Sequence, residues 1–382
     1  MSTEPMRLHI AGRTDVGRTR EHNEDAFVVA DLSTMDGGRP EGTLITPLGP
    51  HGALLMVADG MGGAAAGEVA SAMAIAVVCE ELERRWNQQG ETDAETFTQA
   101  LRTATESANA RIHAHAAATP GMKGMGTTAT IAGVLRDRVY FAQVGDSRGY
   151  LVRDGVATQL TKDQSLMQRL VDAGELTPEE AEQSERRNII LQALGPDARI
   201  KVELTAQELQ RGDVLVLCSD GLSGQVRATE IAEVVAGQPD LARAARELID
   251  RANAAGGPDN ITVVLARIDG EGVRVASHEA PAHRPYVSPS AARGTVPVDR
   301  ASLGDDDTDE FPTPTRPVAG APESTPASAP ASAPASAPVT GATPPRRSSA
   351  ILEAEDAAML SPRTAIIALA VGAMLLLVWV LG

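Results

Sequence analysis

The 382-residue chain has little cysteine: two, Cys79 and Cys218. That excludes a disulfide scaffold and fits a reducing compartment. Aromatic side chains are also scarce, four Phe, two Trp and three Tyr, and Tyr286, Phe311 and Trp379 lie beyond residue 280. A core upstream must be built from Ala, Val, Leu, Ile and Met, for which roughly 270 residues are ample. Basic charge is in deficit, with 34 Lys and Arg against 51 Asp and Glu, a net −17. A broad nucleic-acid footprint needs the opposite balance and is excluded. The seven histidines (His9, His22, His51, His113, His115, His278, His283) share no metal-ligand spacing and read as structural or exposed. The first ten residues lack a basic start followed by an apolar run, so no secretory signal is readable there.

What is present divides the chain in three. Residues 364–382, TAIIALAVGAMLLLVWVLG, are 19 residues without a charge. At ~1.5 Å per residue they span about 28 Å, close to the hydrocarbon thickness of a bilayer. Arg346, Arg347 and Arg363 precede this run and no charge follows it, so the positive-inside rule places everything upstream in the cytoplasm. Residues 271–363 are expected to be a disordered linker. Fourteen of the 24 prolines lie between Pro281 and Pro345, around the tract ASAPASAPASAP. Such a composition buries too little apolar surface to offset its ordering entropy. The acidic run at 305–310 reads as solvated linker, with Thr308, Thr313 and Thr315 as candidate phosphorylation sites. Residues 1–270 remain as the globular part.

Within it, residues 64–85 and 94–118 are alanine-rich and free of proline, and both predict helices. Strand-like runs surround them: LLMVA (54–58), ATIAGVL (129–135), RVYFAQV (138–144), GYLVR (149–153), VLVLC (214–218) and ITVVLARI (261–268). Asp154-Gly155 is a strong hairpin signal, and Arg136-Asp137 makes a second tight connection. Paired helices and consecutive hairpins point to an α+β fold with antiparallel sheets.

Four aspartates recur at the ends of these apolar runs. Asp59 follows LLMVA, Asp146 follows VYFAQVG, Asp220 follows VLVLCS, and Asp259 precedes ITVVLA. Aspartate is common in turns, and any one site taken alone is best read that way. Four on buried strands imply converging carboxylates, which must share protons or cations to coexist. Oxygen-only ligands suit Mg²⁺ or Mn²⁺, and zinc is disfavoured because neither cysteine has a partner at ligand spacing. A multi-carboxylate, multi-metal site typically activates water for in-line attack on phosphorus.

The segments TDVGRTREHNEDAF, VADGMGGAAAGEVAS, GMGTTAT, VGDSRGYL, CSDGL and GGPDNIT occur in this order over about residues 8 to 268. Together they resemble the metal-dependent serine/threonine protein phosphatases of the 2C type, in their bacterial form. The resemblance implies a β-sandwich of two antiparallel sheets flanked by helix pairs. It implies hydrolysis of phosphoserine and phosphothreonine by a metal-bridging hydroxide, with two Mn²⁺ or Mg²⁺ ions and room for a third. Asp59 matches the bridging carboxylate, and Gly60 would offer its carbonyl to the second metal. Asp220 and Asp259 would complete the first metal's protein ligands. Asp146 would bind a third metal with Asp220, and Glu24 would hold metal-bound waters. Arg20 would bind the substrate phosphate with its planar donor fork; the plainer expectation is a surface arginine paired with Asp15 or Glu21. Met61 stands where some relatives carry a histidine that serves as a candidate general acid, so no acid is assigned. Residues 161–187 match the family's variable flap, and Thr177-Pro178 reads as a helix start.

Rival readings are weaker. GMGGAA at 60–65 fits a dinucleotide fingerprint, but Asp59 would face a pyrophosphate with no cation. Cys79 to Arg85 has the C-x5-R spacing of cysteine phosphatases but is filled with glutamates on a predicted helix. Cys218 reads as a small core residue. The expected partners are phosphoproteins, serine/threonine kinases and their substrates, and a membrane. A phosphatase-fold scaffold without activity is the alternative from another class, and a phosphatase acting on a small regulator of a sigma-factor switch is a third.

Overall fold

The computed structural model describes residues 6–40, 42–62, 66–86, 93–184, 186–273 and 280–288. In chain order the first strands are β1 (Arg7–Asp15), β2 (Asp25–Asp31), β3 (Gly37–Gly38), β4 (Leu44–Pro47) and β5 (Ala53–Met61). Two long helices follow, α1 (Ala66–Trp86) and α2 (Ala94–Ala118). Then come β6 (Gly126–Thr127), β7 (Ala129–Leu135), β8 (Arg138–Val144), β9 (Arg148–Arg153) and β10 (Val156–Gln159). The flap region carries α3 (Leu166–Asp172) and α4 (Pro178–Glu182). Last are β11 (Glu203–Glu208), β12 (Val214–Cys218), α5 (Asp220–Ser223), α6 (Ala228–Gly237), α7 (Leu241–Ala254) and β13 (Ile261–Asp269).

The strands form two antiparallel sheets. One has the order β10-β9-β12-β13-β1-β4; the other runs β11-β8-β7-β5-β2-β3, with β6 pairing β5. Alternation along each strand explains the packing. Leu55 and Val57 of β5 and Val264 and Ala266 of β13 meet in the core between the sheets. Leu54, Met56 and Ala58, pointing the other way, pack under α1 and α2. Val263 and Leu265 pack under α6 and α7. Both faces of each sheet are covered, so the central strands read as unbroken apolar runs, a pattern more usual for parallel sheets. The expected α+β sandwich with flanking helix pairs is what the chain forms.

The tight connections follow the expected chemistry. Asp154 (φ 51°) and Gly155 (φ 76°) both take the left-handed conformation of a two-residue hairpin turn between β9 and β10. Thr177 caps α4, accepting from Glu180 N, while the Glu180 side chain accepts from Thr177 N and Pro178 fills the first turn. β5 pairs antiparallel with both β2 and β7, which excludes the parallel βαβ unit a dinucleotide fingerprint needs.

One part of the expected linker is not bare. Residues 281–288 lie along β11, hydrogen-bonded to it, because an edge strand offers free backbone groups that composition does not announce. The rest of 289–363 and the apolar run at 364–382 lie outside the described residues. Among the described residues no helix is long and apolar enough to cross a membrane.

Candidate active site

Strand register brings the motif residues to one rim. Asp25 begins β2 opposite Asp59 on β5. Cys218, ending β12, faces Val263 of β13 and Arg148 of β9. Asp15, ending β1, faces Ile261, which begins β13. The loop with Arg20 and Glu24, the β5 end with Asp59, the β8–β9 turn with Asp146, the start of α5 with Asp220, and Asp259 before β13 therefore share one edge of the sandwich.

Threonines of the GMGTTAT segment fix Asp59. Asp59 N donates to Thr128 Oγ1 (2.9 Å), and Asp59 O accepts from Thr128 N (2.8 Å) and Thr127 Oγ1 (2.9 Å). Thr128 also meets Ser147 Oγ at 2.8 Å, tying this strand end to the turn that holds Asp146. Gly60 has no room for a side chain: a Cβ would lie 2.2 Å from Gly67 O and 2.5 Å from Glu24 O. At Gly221 a Cβ would lie 1.9 Å from Asn260 O, so α5 can begin against β13 only with glycine there.

The electrostatics are those of crowded carboxylates. Asp59 lies well above the usual carboxylate range, through burial first and then repulsion from Asp25, Asp220, Asp146 and Asp259. Asp146 is pushed up to about 8 by burial, then Asp220 and Asp163. Asp220 is raised by burial and Asp259, while a hydrogen bond with the Asp59 carboxyl works against the rise. Glu24 is also raised, by burial, with Arg20 opposing. Arg20 is an exposed arginine, but it pairs with Asp259 and not with Asp15 or Glu21: its Nη2 donates to Asp259 Oδ2 at 2.8 Å. Desolvation would lower its pKa, but Asp259, Glu24 and Asp59 raise it on balance.

Several contributing residues had no motif role. Asp25 is buried, accepts from Ser219 Oγ (2.7 Å) and Thr262 Oγ1 (2.6 Å) at Oδ2, and keeps Oδ1 buried without a partner. Burial raises it to about 7, those two hydrogen bonds work against the rise, and Asp220 and Asp259 add to it. The sequence signal was an acid opening an otherwise apolar strand, AFVVA. Asn260 clamps both ends of the Arg20 loop. It accepts from Glu24 N (2.8 Å) and donates to Val16 O (3.0 Å) and His22 O (2.9 Å). The cysteines stay outside the chemistry, with Cys79 raised to about 11 and Cys218 to about 12, both chiefly by burial. His113 Nδ1 lies 2.8 Å from Gly195 O, and His51 stacks on Trp86.

Among the described residues no three His, Cys, Asp or Glu side chains close into a finished metal cage. The donor set nonetheless fits hard cations. Its carboxylates repel one another, and Asp25 and Asp146 each keep a buried oxygen unsatisfied. A divalent ion would offset both costs.

Fold and rim together define a protein with helices outside, two sheets inside and a carboxylate cluster with one arginine at the sheet edge. Residues 46–266 match the protein phosphatase 2C family. The serine/threonine phosphatase Stp of Listeria monocytogenes is 38% identical over 69% of this chain and 96% of its own. The serine/threonine protein phosphatase PstP of Mycobacterium tuberculosis is 39% identical over 68% of this chain and 45% of its own. The solved PstP catalytic domain in complex with two manganese ions superposes with a TM-score of 0.56 at 38% identity, covering 69% of this chain and 99% of that one. This chain belongs to the protein phosphatase 2C family.

Proposed function

We infer that this chain is a metal-dependent protein serine/threonine phosphatase that hydrolyses phosphoserine and phosphothreonine on proteins. The observation that carries this reading is the convergence of Asp59, Asp146, Asp220 and Asp259 with Arg20 on one rim. Asp59, Asp220 and Asp259, with the Gly60 carbonyl, would hold two Mn²⁺ or Mg²⁺ ions. Asp146 with Asp220 would hold a third, and Glu24 and Asp25 would orient the waters. Bound divalent cations supply the activated water and charge neutralisation that attack on phosphorus requires. Arg20 sits 2.8 Å from an acidic oxygen of Asp259, a distance and donor fork equally suited to a phosphate oxygen. Its guanidinium would exchange that carboxylate for the substrate phosphate once cations neutralise the cluster. Met61 has no proton to give, so protonation of the leaving oxygen falls to another group of the site.

The test is phosphate release from a phosphothreonine peptide by the full chain in detergent, with Mn²⁺, with EDTA, and for Asp220→Asn. Turnover should need the metal and fall by a factor of ~10² or more in the variant. Metal-independent turnover would overturn the mechanism, and no turnover with any divalent metal would favour a scaffold that only binds phosphoproteins.

The membrane reading is also a proposal. Residues 364–382 would anchor the chain with the catalytic part in the cytoplasm, and residues 289–363 would be the tether. Tethering raises the local concentration of membrane-bound substrates, serine/threonine kinases among them.

A further inference from the structure

Residues 280–288 lie beyond the family match, which ends at residue 266, yet they are seated on the sandwich. β11 is the edge of its sheet, and its outer backbone groups need a neighbour. The segment supplies one. Ala206 N donates to Arg284 O (3.2 Å), and Tyr286 N donates to Leu204 O (2.8 Å). Between them Thr205 faces Pro285 as an antiparallel bridge, and proline is tolerated on such an outermost strand. Ala282 N donates to Gln207 Oε1 (3.4 Å), and His283 Nε2 lies 2.6 Å from Glu203 Oε1. Ser288 Oγ donates to Glu95 Oε1 (2.5 Å) in the first turn of α2.

The anchor is aromatic. Tyr286 meets Tyr140 edge-on, centroids 5.7 Å apart. Tyr140 continues to Phe97 at 5.7 Å, Phe97 to Trp86 at 5.8 Å, and Trp86 to His51 at 6.0 Å. In a chain so poor in aromatics, four of them line up here, and the outlying segment contributes the last.

The chain entering β11 is in turn joined, through Gln192, to Gln164 at the start of the flap. Lys201 N donates to Gln192 Oε1, and Gln192 Nε2 donates back to Lys201 O, both at 2.8 Å. Gln192 Nε2 also donates to Gln164 Oε1 (2.8 Å), which accepts from Gly145 N (3.0 Å), the residue before Asp146. Gln164 N donates to Gly145 O (2.9 Å), and Leu191 N to Gln164 O (2.8 Å).

We propose that residues 281–288 are an intramolecular ligand of the β11 edge, and that their seating holds β11, the flap base and, through Gln192 and Gln164, the turn that carries Asp146. The last described contact of the segment is then on the first turn of α2, through Ser288 and Glu95, and not at the end of β13. Whatever pulls the segment away loosens that turn.

Amide hydrogen exchange on the full chain in detergent micelles tests this, and the readout does not depend on catalysis. The unmodified chain should protect the Ala206 and Tyr286 amides. Tyr286→Ala should accelerate Ala206 exchange by about tenfold or more, and the acceleration should extend to Leu191 and Gly145. Tyr286→Phe should keep protection, because the Tyr286 hydroxyl is buried without a partner and its loss costs nothing. In a chain lacking 281–288, a synthetic peptide of residues 280–288 should restore protection at Ala206. Equal exchange of Ala206 in all variants would overturn the docking. Acceleration that stops at β11, with Gly145 unchanged, would overturn the link to the Asp146 turn. Neither result touches the proposed phosphatase activity.

Discussion

Asp25 stands opposite Asp59 in the β2–β5 ladder, buried, with one oxygen unpaired. Its folded pKa of about 7 lies above the ordinary value of 3.8, so between those values the folded chain keeps a proton that the unfolded chain has lost. That difference favours the fold at low pH and is lost as pH rises through 7. Asp146, raised to about 8, extends the same window upward. The metal-free protein should therefore melt at progressively lower temperature as pH is raised from about 5 to about 8. Saturating Mn²⁺ should flatten or reverse that slope, since cations favour the ionised carboxylates. Asp25→Asn should make that slope shallower in the metal-free state, with Mn²⁺ affinity reduced about tenfold or more in a titration calorimeter. A metal-free melting temperature that rises over this range would contradict the account. Glycine makes a second point at this scale. Gly221→Ala would set a methyl group 1.9 Å from a backbone carbonyl, where neither side can give way cheaply. A loss of about 1–3 kcal/mol in chemical denaturation is expected, with activity lost alongside because α5 carries Asp220.

Elements bring these residues together through a few polar clamps. Asn260 closes the loop between β1 and β2 by three hydrogen bonds, so Arg20 and Glu24 arrive at the rim already placed. Asn260→Ala should lower kcat/KM by at least about tenfold, with KM for a phosphopeptide rising as the Arg20 loop loosens. Asn260→Asp should not rescue it, because two of the three bonds need a donor. In the flap, Thr177→Ala removes the cap of α4, worth about 1 kcal/mol locally. Its effect should appear as faster amide exchange in α4, with turnover of a small aryl phosphate within about twofold of the parent. The long helices and central strands were legible because their apolar runs have clear length and turn signals. α7 was less so. Its stripe of Leu241, Ala244, Leu248 and Ile249 gains meaning only once β12 and β13 present an outer face to be covered. β1 reads poorly as RLHIAGRTD because its polar residues alternate with core residues.

Across the whole molecule the described residues belong to one compact unit, Met1–Ser302. The remaining residues carry the proposed anchor. Removing 364–382 should shift the protein from the membrane to the soluble fraction of a cell lysate, with turnover of a soluble phosphopeptide unchanged. Recovery of the shortened chain in the membrane fraction would place the anchor elsewhere. The net acidity has a local meaning here, because part of the −17 is packed at a rim where bound cations would offset it.

The sequence by itself determined the order of the motifs, the apolar strands they flank, the carboxylate character of the proposed ligands and the family. These are local properties, written in residue type and short spacing. Only the tertiary structure decided which groups meet. It set Arg20 against Asp259, 239 residues away, drew Asp25 into the cluster through Ser219 and Thr262, and seated residues 281–288 on β11. Each depends on pairing between segments remote in the chain, where burial and the neighbouring charges are fixed by the register of the strands and not by the residues alone.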